Sequence, residues 1–413
     1  MVADPTRRRA RTLLAVVAGR MASTLSRLTG RGHGAVIGGQ VALRIEPQAL
    51  RRLAGRRAVT VVTGTNGKTT TTRLIGAAVG SGRRVALNRG GNMPSGMIEA
   101  LGRRAEEVVL ECDELYVPEV VHAVRPEVLV LLNISRDQLD RITEIRRIAE
   151  LWRALLAGVT HPLVVVANAD DPLVVWAVGD HRPVVWVAAG YRWVEDAALC
   201  PACGRVRPLR ADGSWTCACG LDRPEPDWIL EGATAVGPEG RALLELALPG
   251  EFNRTNALVA LAAAVARGIA LERAARALGT VASVNGRYAT VEVKGHPVQL
   301  LLAKNPASWA ETLTLVGTGD HELALCLNAR TADGRDTSWI WDVPFERLAG
   351  RRVVVSGDRR ADLALRLQVA GIDPLVVGDV ADGIRLLPAG HPVVLAATYT
   401  AFHDLLDAWK VRW

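Results

Sequence analysis

Residues 63–70 read Thr-Gly-Thr-Asn-Gly-Lys-Thr-Thr, and their setting constrains the fold of this chain more than any other segment does. An apolar, β-branched run at 58–62 precedes them, and a helix-forming run at 71–79 follows. In a strand–loop–helix unit of this kind, backbone N–H groups and the helix N-terminus face an anion, which a lysine neutralises. The segment predicts nucleoside-triphosphate chemistry, with ATP contacting Gly64, Thr65, Asn66, Gly67, Lys68, Thr69 and Thr70.

Lys68 stands out because lysine is rare in this chain. It occurs at only four positions, whereas arginine is abundant. Arginine cannot imitate a compact ammonium, so a retained lysine points to a chemical requirement, and we expect Lys68 to be catalytic. The loop is a variant, since Val62 stands where the strict pattern has glycine. The alternative interpretation is a structural glycine turn before a helix.

The order of apolar runs predicts an α/β protein with more than one domain. A chain of 413 residues is long for a single core. Unbroken apolar runs separated by helical stretches indicate a parallel sheet that is buried on both faces. We expect a helical or strand lead-in at 1–50 and a central ATP-binding domain at 51–284, followed by a smaller, Rossmann-like α/β domain at 285–413. The hinge is expected near 283–287.

A net charge of +7 and a pI near 9.4 favour an anionic partner. No basic run is interleaved with aromatic residues, which argues against nucleic acid. The segment 7–19 superficially resembles a signal peptide, but its apolar stretch ends quickly at Arg20. We interpret it as an amphipathic helix near a membrane. No stretch is apolar enough to span a bilayer, so we expect a cytoplasmic, peripheral protein.

Polar residues that follow the predicted strands indicate where the ligand binds. Glu111 ends one strand, and ligands collect at the carboxyl ends of parallel strands. We expect Glu111 and the Thr69 hydroxyl to hold Mg²⁺. Asp113 and Glu114 are either functional or part of a solvated turn. In the cluster 253–257, Asn256 is a candidate for contacting the nucleotide, although Asn253 or Thr255 as a helix N-cap would also explain the pattern.

Four cysteines predict a metal site in an insertion at 197–223. Two closely spaced pairs, each followed by glycine, flank a short segment that contains Trp215. This pattern is similar to a zinc ribbon, although the second pair is C-x-C. A site with four thiolates is closed, so its zinc is structural. We expect the ligands to be Cys200, Cys203, Cys217 and Cys219, and we expect Cys112 and Cys326 to be buried core residues.

These residues together resemble the Mur ligase family of ATP-dependent cell-wall enzymes. The resemblance is carried by residues 64–70, Glu111, Asn133 with the segment 137–140, and residues 253–257. It implies that Arg287 reaches the phosphates. One departure concerns a lysine that is carbamylated in amino-acid-adding members, because no lysine lies between Lys68 and Lys294. Gln138 also replaces a histidine, so the second metal site and ordinary amino-acid ligation are both in doubt.

The C-terminal half extends the resemblance to the synthetase subunits of lipid II isoglutaminyl synthase. It is carried by Lys304-Asn305-Pro306 and by the segment 332–342, in addition to the four-cysteine insertion. The resemblance implies an ATP-hydrolysing amide ligase that converts D-glutamate at stem position 2 of lipid II to D-isoglutamine through an acyl phosphate. It implies ammonia from a separate class I glutaminase, GatD, in a heterodimer. In that family an aspartate of the C-terminal domain completes the glutaminase site; we expect it to be Asp336 here, with Asp333 and Asp342 as alternatives.

Two other functions remain open at the level of sequence. A Mur-type or folylpolyglutamate-type ligase would join an amino acid to its substrate, and the missing lysine argues against it. A non-catalytic zinc-ribbon protein would bind nucleic acid with a steep dependence on salt, and the composition gives that function little support.

Overall fold

The computed structural model describes residues 5–28, 35–55, 57–88, 91–137, 145–188, 190, 196, 198–208, 210, 213–282, 288–317, 321–388 and 390–411. The chain forms two compact units, and each is described separately. The first unit comprises Met1–Ile134 and Ile145–Ala282, and the second comprises Ser135–Glu144 and Ser283–Trp413. The second unit thus takes a short segment from the middle of the first. The domain limits given above stay predictions.

The first unit begins with three helices, α1 (Pro5–Leu28), α2 (Ala35–Ile45) and α3 (Ala49–Ala54). Helices α1 and α2 pack at a glycine contact. A Cβ atom built on Gly19 would lie 2.6 Å from the carbonyl oxygen of Gly38, and one on Gly38 would lie 2.4 Å from that of Gly19. Larger residues would push the helices apart. In the described ranges, no helix has the length and apolarity needed to cross a bilayer.

A nine-stranded sheet follows in the first unit, in the order β2-β3-β1-β4-β5-β6-β7-β8-β9. Neighbouring strands are parallel as far as β7, and β8 and β9 are antiparallel. Its strands are β1 (Ala58–Thr63), β2 (Val85–Leu87), β3 (Glu107–Glu111), β4 (Val128–Leu131), β5 (Val164–Asn168), β6 (Val184–Ala188), β7 (Trp228–Glu231), β8 (Thr234–Gly237) and β9 (Gly240–Leu243). Its helices are α4 (Lys68–Gly80), α5 (Pro94–Leu101), α6 (Val117–Val124), α7 (Ile145–Gly158), α8 (Pro172–Val178), α9 (Glu251–Ala266) and α10 (Leu271–Gly279).

The second unit contains a six-stranded sheet in the order β10-β11-β15-β12-β13-β14. Only the β10–β11 pair is antiparallel. The strands are β10 (Tyr288–Val293), β11 (His296–Leu302), β12 (Glu322–Cys326), β13 (Val353–Ser356), β14 (Leu375–Val376) and β15 (Val393–Ala397). The helices are α11 (Pro306–Gly317), α12 (Arg360–Val369), α13 (Val380–Ile384) and α14 (Tyr399–Ala408), with 3₁₀ turns at Ser338–Asp342 and Phe345–Leu348.

The predicted α/β class is confirmed. Strand β1 lies between β3 and β4 and is almost wholly buried, and β4 is fully buried, which explains their unbroken apolar sequences. The parallel order brings the carboxyl ends of β1, β3 and β4 to one edge of the sheet. The predicted phosphate-binding loop, Glu111 and Asn133 lie at these three strand ends, whereas Asn256 lies on α9.

Candidate active site and metal centre

The phosphate-binding loop (residues 63–70) joins β1 to α4, and two of its glycines are conformationally required. Gly64 has φ 138° and Gly67 has φ 85°, in the left-handed region that disfavours other residues. Gly67 is also the N-cap of α4, and a Cβ atom there would lie 2.4 Å from Oδ1 of Asn256. Backbone N–H groups at the start of α4 are the donors that a loop of this kind offers to phosphate oxygens.

Asn133, which follows β4, holds this loop in place. Its carbonyl oxygen accepts a hydrogen bond from the N–H of Thr65 at 2.9 Å. Its side chain forms a reciprocal pair with Asn66, accepting from the backbone N–H at 2.9 Å and donating to the carbonyl at 3.0 Å. Asn133, one of the residues that carry the family resemblance, is thus a support of the loop itself.

Lys68 and Glu114 form a buried ion pair. The ammonium lies 3.0 Å from Oε2 of Glu114 and donates to the carbonyl of Gly64 at 2.7 Å. The indole of Trp152 donates to the backbone carbonyl of Glu114, which fixes that turn. Of the two readings of Glu114 left open above, the solvated turn is wrong, since Glu114 is buried and paired with the lysine.

Thr69 and Glu111 come together at the end of β3, with 3.1 Å between the hydroxyl and Oε1. Asn88 clamps the Glu111 backbone, accepting from its N–H at 2.8 Å and donating to its carbonyl at 2.9 Å. A hydroxyl beside a carboxylate is an all-oxygen donor set that fits Mg²⁺. Sequence reasoning missed Asn88, whose only signal is a polar residue directly after a short strand.

Asn256 lies against the start of α4, with its Oδ1 3.4 Å from the Thr71 hydroxyl. The N-cap of α9 is Gly250, so the alternative that Asn253 or Thr255 caps this helix is wrong. Both side chains instead hydrogen-bond to backbone carbonyls of residues before them. Arg287, Gln138, Leu139 and Asp140 lie outside the described residues.

Asp171 is a buried carboxylate that sequence reasoning also missed. It caps α8, accepting from the N–H of Leu173, and its other oxygen accepts from the N–H of Ile134 at 2.8 Å. It therefore ties the end of β4 to the start of α8. Burial raises the pKa of this carboxyl from 3.8 to about 6, although the backbone N–H donors oppose the shift. Its sequence signal was an aspartate directly before Pro172, a common helix start.

The four cysteines of the insertion form one cluster. Their sulfur atoms all lie within 4.8 Å of one another, with Cys200–Cys219 at 3.6 Å and Cys203–Cys217 at 3.5 Å. A tetrahedron of Zn–S bonds of about 2.3 Å requires sulfur separations of roughly 3.8 Å, so the cluster fits a metal with four thiolate ligands. Cys112 and Cys326 are buried, as predicted, and burial raises the pKa of both thiols.

The insertion is fixed to the sheet through Asp170, which follows β5. The indole of Trp215 is buried and donates to the Asp170 carbonyl at 3.1 Å. Arg223 pairs with the Asp170 carboxylate at 2.8 Å, and Arg207 stacks 4.8 Å over the Trp215 ring. These contacts give a small insertion a defined position that its own few apolar residues would not supply.

The three candidate aspartates of the second unit have different environments. Asp333 is buried and accepts from the N–H of Thr400 at 2.7 Å and from its hydroxyl at 2.5 Å. Asp342 pairs with Arg136 at 3.0 Å. Asp336 is exposed, and the backbone N–H of Ser338 donates to it at 2.8 Å, which lowers its pKa. Asp336 is therefore an ionised, exposed carboxylate held in one orientation.

The remaining motif of the second unit is Lys304-Asn305-Pro306, which lies between β11 and α11. Lys304 forms an ion pair with Asp137, and Asn305 lies 3.5 Å from the same carboxylate. Of the two tryptophans beyond Asp336, Trp339 is buried against Trp309, whereas Trp341 is exposed beneath the guanidinium of Arg366.

Comparison with protein families gives two matches. Residues 62–186 match the Mur ligase middle domain, and residues 302–402 match the MurT ligase C-terminal domain. The chain is 30% identical to the lipid II isoglutaminyl synthase (glutamine-hydrolyzing) subunit MurT of Staphylococcus aureus strain N315, over 87% of this chain and 88% of that protein. It is 28% identical to the subunit of the same name from Streptococcus pneumoniae, over 97% and 98%.

Solved structures show the same fold. A pseudomurein peptide ligase type C from Methanothermus fervidus aligns with a TM-score of 0.67 at 19% identity, covering 86% of this chain and 79% of that one. MurF ligase from Thermotoga maritima in complex with ADP aligns with a TM-score of 0.63 at 16% identity, covering 89% and 83%. Fold and site thus define a ligase built on the Mur ligase architecture. Within that class, the chain belongs to the MurT family.

Proposed function

We propose that this chain amidates lipid II, converting the α-carboxyl of D-glutamate at stem position 2 to the amide of D-isoglutamine at the expense of ATP. The observation that carries the proposal is the 30% identity to a lipid II isoglutaminyl synthase subunit over 87% of the chain. The paired Thr69 and Glu111 beside a phosphate-binding loop support the ATP-dependent half of this reaction.

The reaction has two balanced steps. The glutamate carboxylate attacks the γ-phosphorus of ATP and forms an acyl phosphate, while the bond to ADP breaks. Ammonia then attacks the acyl carbon, inorganic phosphate leaves, and one proton of the attacking ammonia is released. Both reactants of the first step are anionic, so Lys68 in the loop supplies the neutralising charge, and Arg287 is proposed to add to it.

Mg²⁺ is proposed to bind at Thr69 and Glu111. When bound there, it would neutralise phosphate charge and align the β- and γ-phosphates. Asn88 keeps the Glu111 backbone fixed, so the carboxylate is positioned before the ion arrives. Asn256 is proposed to contact the nucleotide from α9, beside the start of α4.

Ammonia is proposed to come from a class I glutaminase of the GatD type that binds this chain as a heterodimer. Free ammonia is largely protonated in water at neutral pH, so delivery from a docked partner favours the reactive form. Asp336 is the best candidate for completing the partner's cysteine–histidine pair, since Asp333 and Asp342 are already engaged within the second unit. Its hydrogen bond from Ser338 holds the carboxylate ready to orient an imidazole.

The ion at the four-cysteine cluster is proposed to be zinc with a structural role. Four thiolates leave no open coordination position. Metal analysis of the purified chain should find about one zinc per chain, and Cys203→Ser should lower that content. A chain that folds fully and binds no metal would contradict the assignment.

The proposal is tested by incubating the chain with lipid II, ATP and Mg²⁺, supplied with either an ammonium salt or glutamine plus the glutaminase. Amidation lowers the mass of the lipid by about one unit, because an amine replaces a hydroxyl. Asp336→Asn should abolish the glutamine-dependent reaction and spare the ammonium-dependent one, whereas the matched control Asp342→Asn should retain both. A mass gain equal to an amino acid would instead identify an amino-acid ligase.

A further inference from the structure

Helix α1 has two different faces. One face packs against the first unit and is lined by small or polar residues, namely Thr12, Ala15, Gly19 and Ser26, all buried. The other face is exposed to solvent but apolar. It consists of Leu13, Leu14, Val17, Met21, Leu25 and Leu28, which are 52 to 80% exposed. These six residues are called the outer apolar face of α1.

The helical repeat places these six residues on a single stripe. At about 100° per residue, they fall within an arc of roughly 120° on the side opposite to the buried face. Ordinary surface helices have the reverse arrangement, with apolar residues inside and charges outside. A stripe that spans about four turns is therefore a surface for binding a partner rather than a set of scattered exposed leucines.

The charge of α1 identifies the kind of partner. The helix carries six arginines and contains no aspartate or glutamate. Arg11 and Arg20 border the outer apolar face on its two sides. Both are exposed, although each donates one hydrogen bond to a backbone carbonyl, Arg11 to Ile45 and Arg20 to Gly102, and Arg11 also lies 3.8 Å from the carboxylate of Glu46. The partner must accept an apolar stripe and supply negative charge along both of its borders.

We propose that α1 lies in the headgroup layer of an anionic membrane, with its outer apolar face inserted among the acyl chains. Arginines bordering an apolar stripe are the pattern of helices that lie in the plane of the membrane interface. A second copy of the chain is a poorer occupant, because two such helices would bring their arginines together. The inference extends the proposed function, whose substrate carries a lipid tail, but its evidence is the helix itself.

The test is flotation of the full chain with vesicles of phosphatidylglycerol and phosphatidylcholine in equal parts, or of phosphatidylcholine alone. The chain should bind the anionic vesicles, and binding should weaken with added salt. Met21→Glu with Leu25→Glu removes two inserted side chains and should weaken binding at least about 100-fold. The matched control is Leu365→Glu with Val369→Glu on α12, a pair with the same spacing and similar exposure, which should bind like the wild type.

Three results would overturn the inference. These are equal binding to both vesicle types, unchanged binding of the Met21/Leu25 variant, and a wild-type dimer in sedimentation equilibrium that this variant dissociates. Thermal unfolding should be the same for both variants and the wild type, because all four residues are on the surface. The Met21/Leu25 variant should still amidate lipid II dissolved in detergent. Flotation therefore tests membrane binding, and the amidation assay tests the proposed reaction independently.

Discussion

The buried pair of Lys68 and Glu114 allows stability and chemistry to be separated by a double-mutant cycle. The side chains are 5% and 10% exposed, so neither charge is well solvated. Lys68→Met leaves the Glu114 carboxylate buried without its cation, and breaking such a pair costs about 3–5 kcal/mol. Adding Glu114→Gln removes that charge. The free energy of unfolding should then be lower than that of the wild type by only ~1 kcal/mol, the contribution of an ordinary hydrogen bond.

The double variant should therefore be more stable than Lys68→Met by about 2–4 kcal/mol in urea unfolding. Neither variant should turn over ATP, because both lack the ammonium group that is proposed to neutralise the phosphates. The matched control is Arg103→Met, which removes the exposed pair with Glu99, 47% and 48% exposed, and should cost no more than ~1 kcal/mol.

Two results would refute this reasoning. If Lys68→Met and the double variant unfolded at the same urea concentration with the same slope, the carboxylate would not depend on the lysine. If either variant kept its ATP turnover, the assignment of the phosphate-binding loop would be wrong.

Gly67→Ala should weaken ATP binding in calorimetry at least about tenfold, since its φ of 85° and the nearby Asn256 both oppose a Cβ atom. Unchanged binding would contradict this. Asp171 should make the chain less stable as pH rises from 3.8 to about 6, because its folded-state pKa is raised and the unfolded chain ionises first. The full loss is about 3 kcal/mol at 1.36 kcal/mol per pKa unit; about 2 kcal/mol of it falls between pH 4 and pH 6, and this part should be absent from Asp171→Asn when urea unfolding is compared at those two pH values. Asp333→Asn should lower the free energy of unfolding by about 1–3 kcal/mol because it weakens buried bonds to the start of α14, whereas Asp336→Asn should change it by less than ~0.5 kcal/mol; equal effects would mean that burial does not distinguish the two.

The sequence predicted those parts of the fold whose residue pattern lies within one short segment of the chain. Strand β1, the loop after it and helix α4 form one continuous signal, and the structure places them as predicted. The cysteine pairs were equally informative, because ligand spacing is a local property. Glu111 could be proposed as a Mg²⁺ ligand from the sequence, because a carboxylate at the end of a buried strand seldom has a purely structural role.

Residues whose partners are distant in sequence could not be found in this way. Asn88 acts through the backbone of a residue 23 positions later, and Glu114 acts through a lysine 46 positions earlier. Asn88 is not unusual in its own segment, and for Glu114 the sequence left both a functional role and a solvated turn open. The alternative that Asn253 or Thr255 caps α9 arose because both residue types resemble caps, whereas Gly250, the actual N-cap, offers no side-chain signal. Pairings of this kind become visible only when the strand order is known.

The second unit includes the segment Ser135–Glu144, which is synthesised long before the rest of that unit. Asp137 pairs with Lys304, which is 167 residues further along the chain. At about 5–20 residues per second, a ribosome needs roughly 8–33 seconds to make that stretch. During this time Asp137 lacks its partner Lys304. Completion of the second unit is thus timed by translation, and neither unit can be produced whole by cutting the gene at one point.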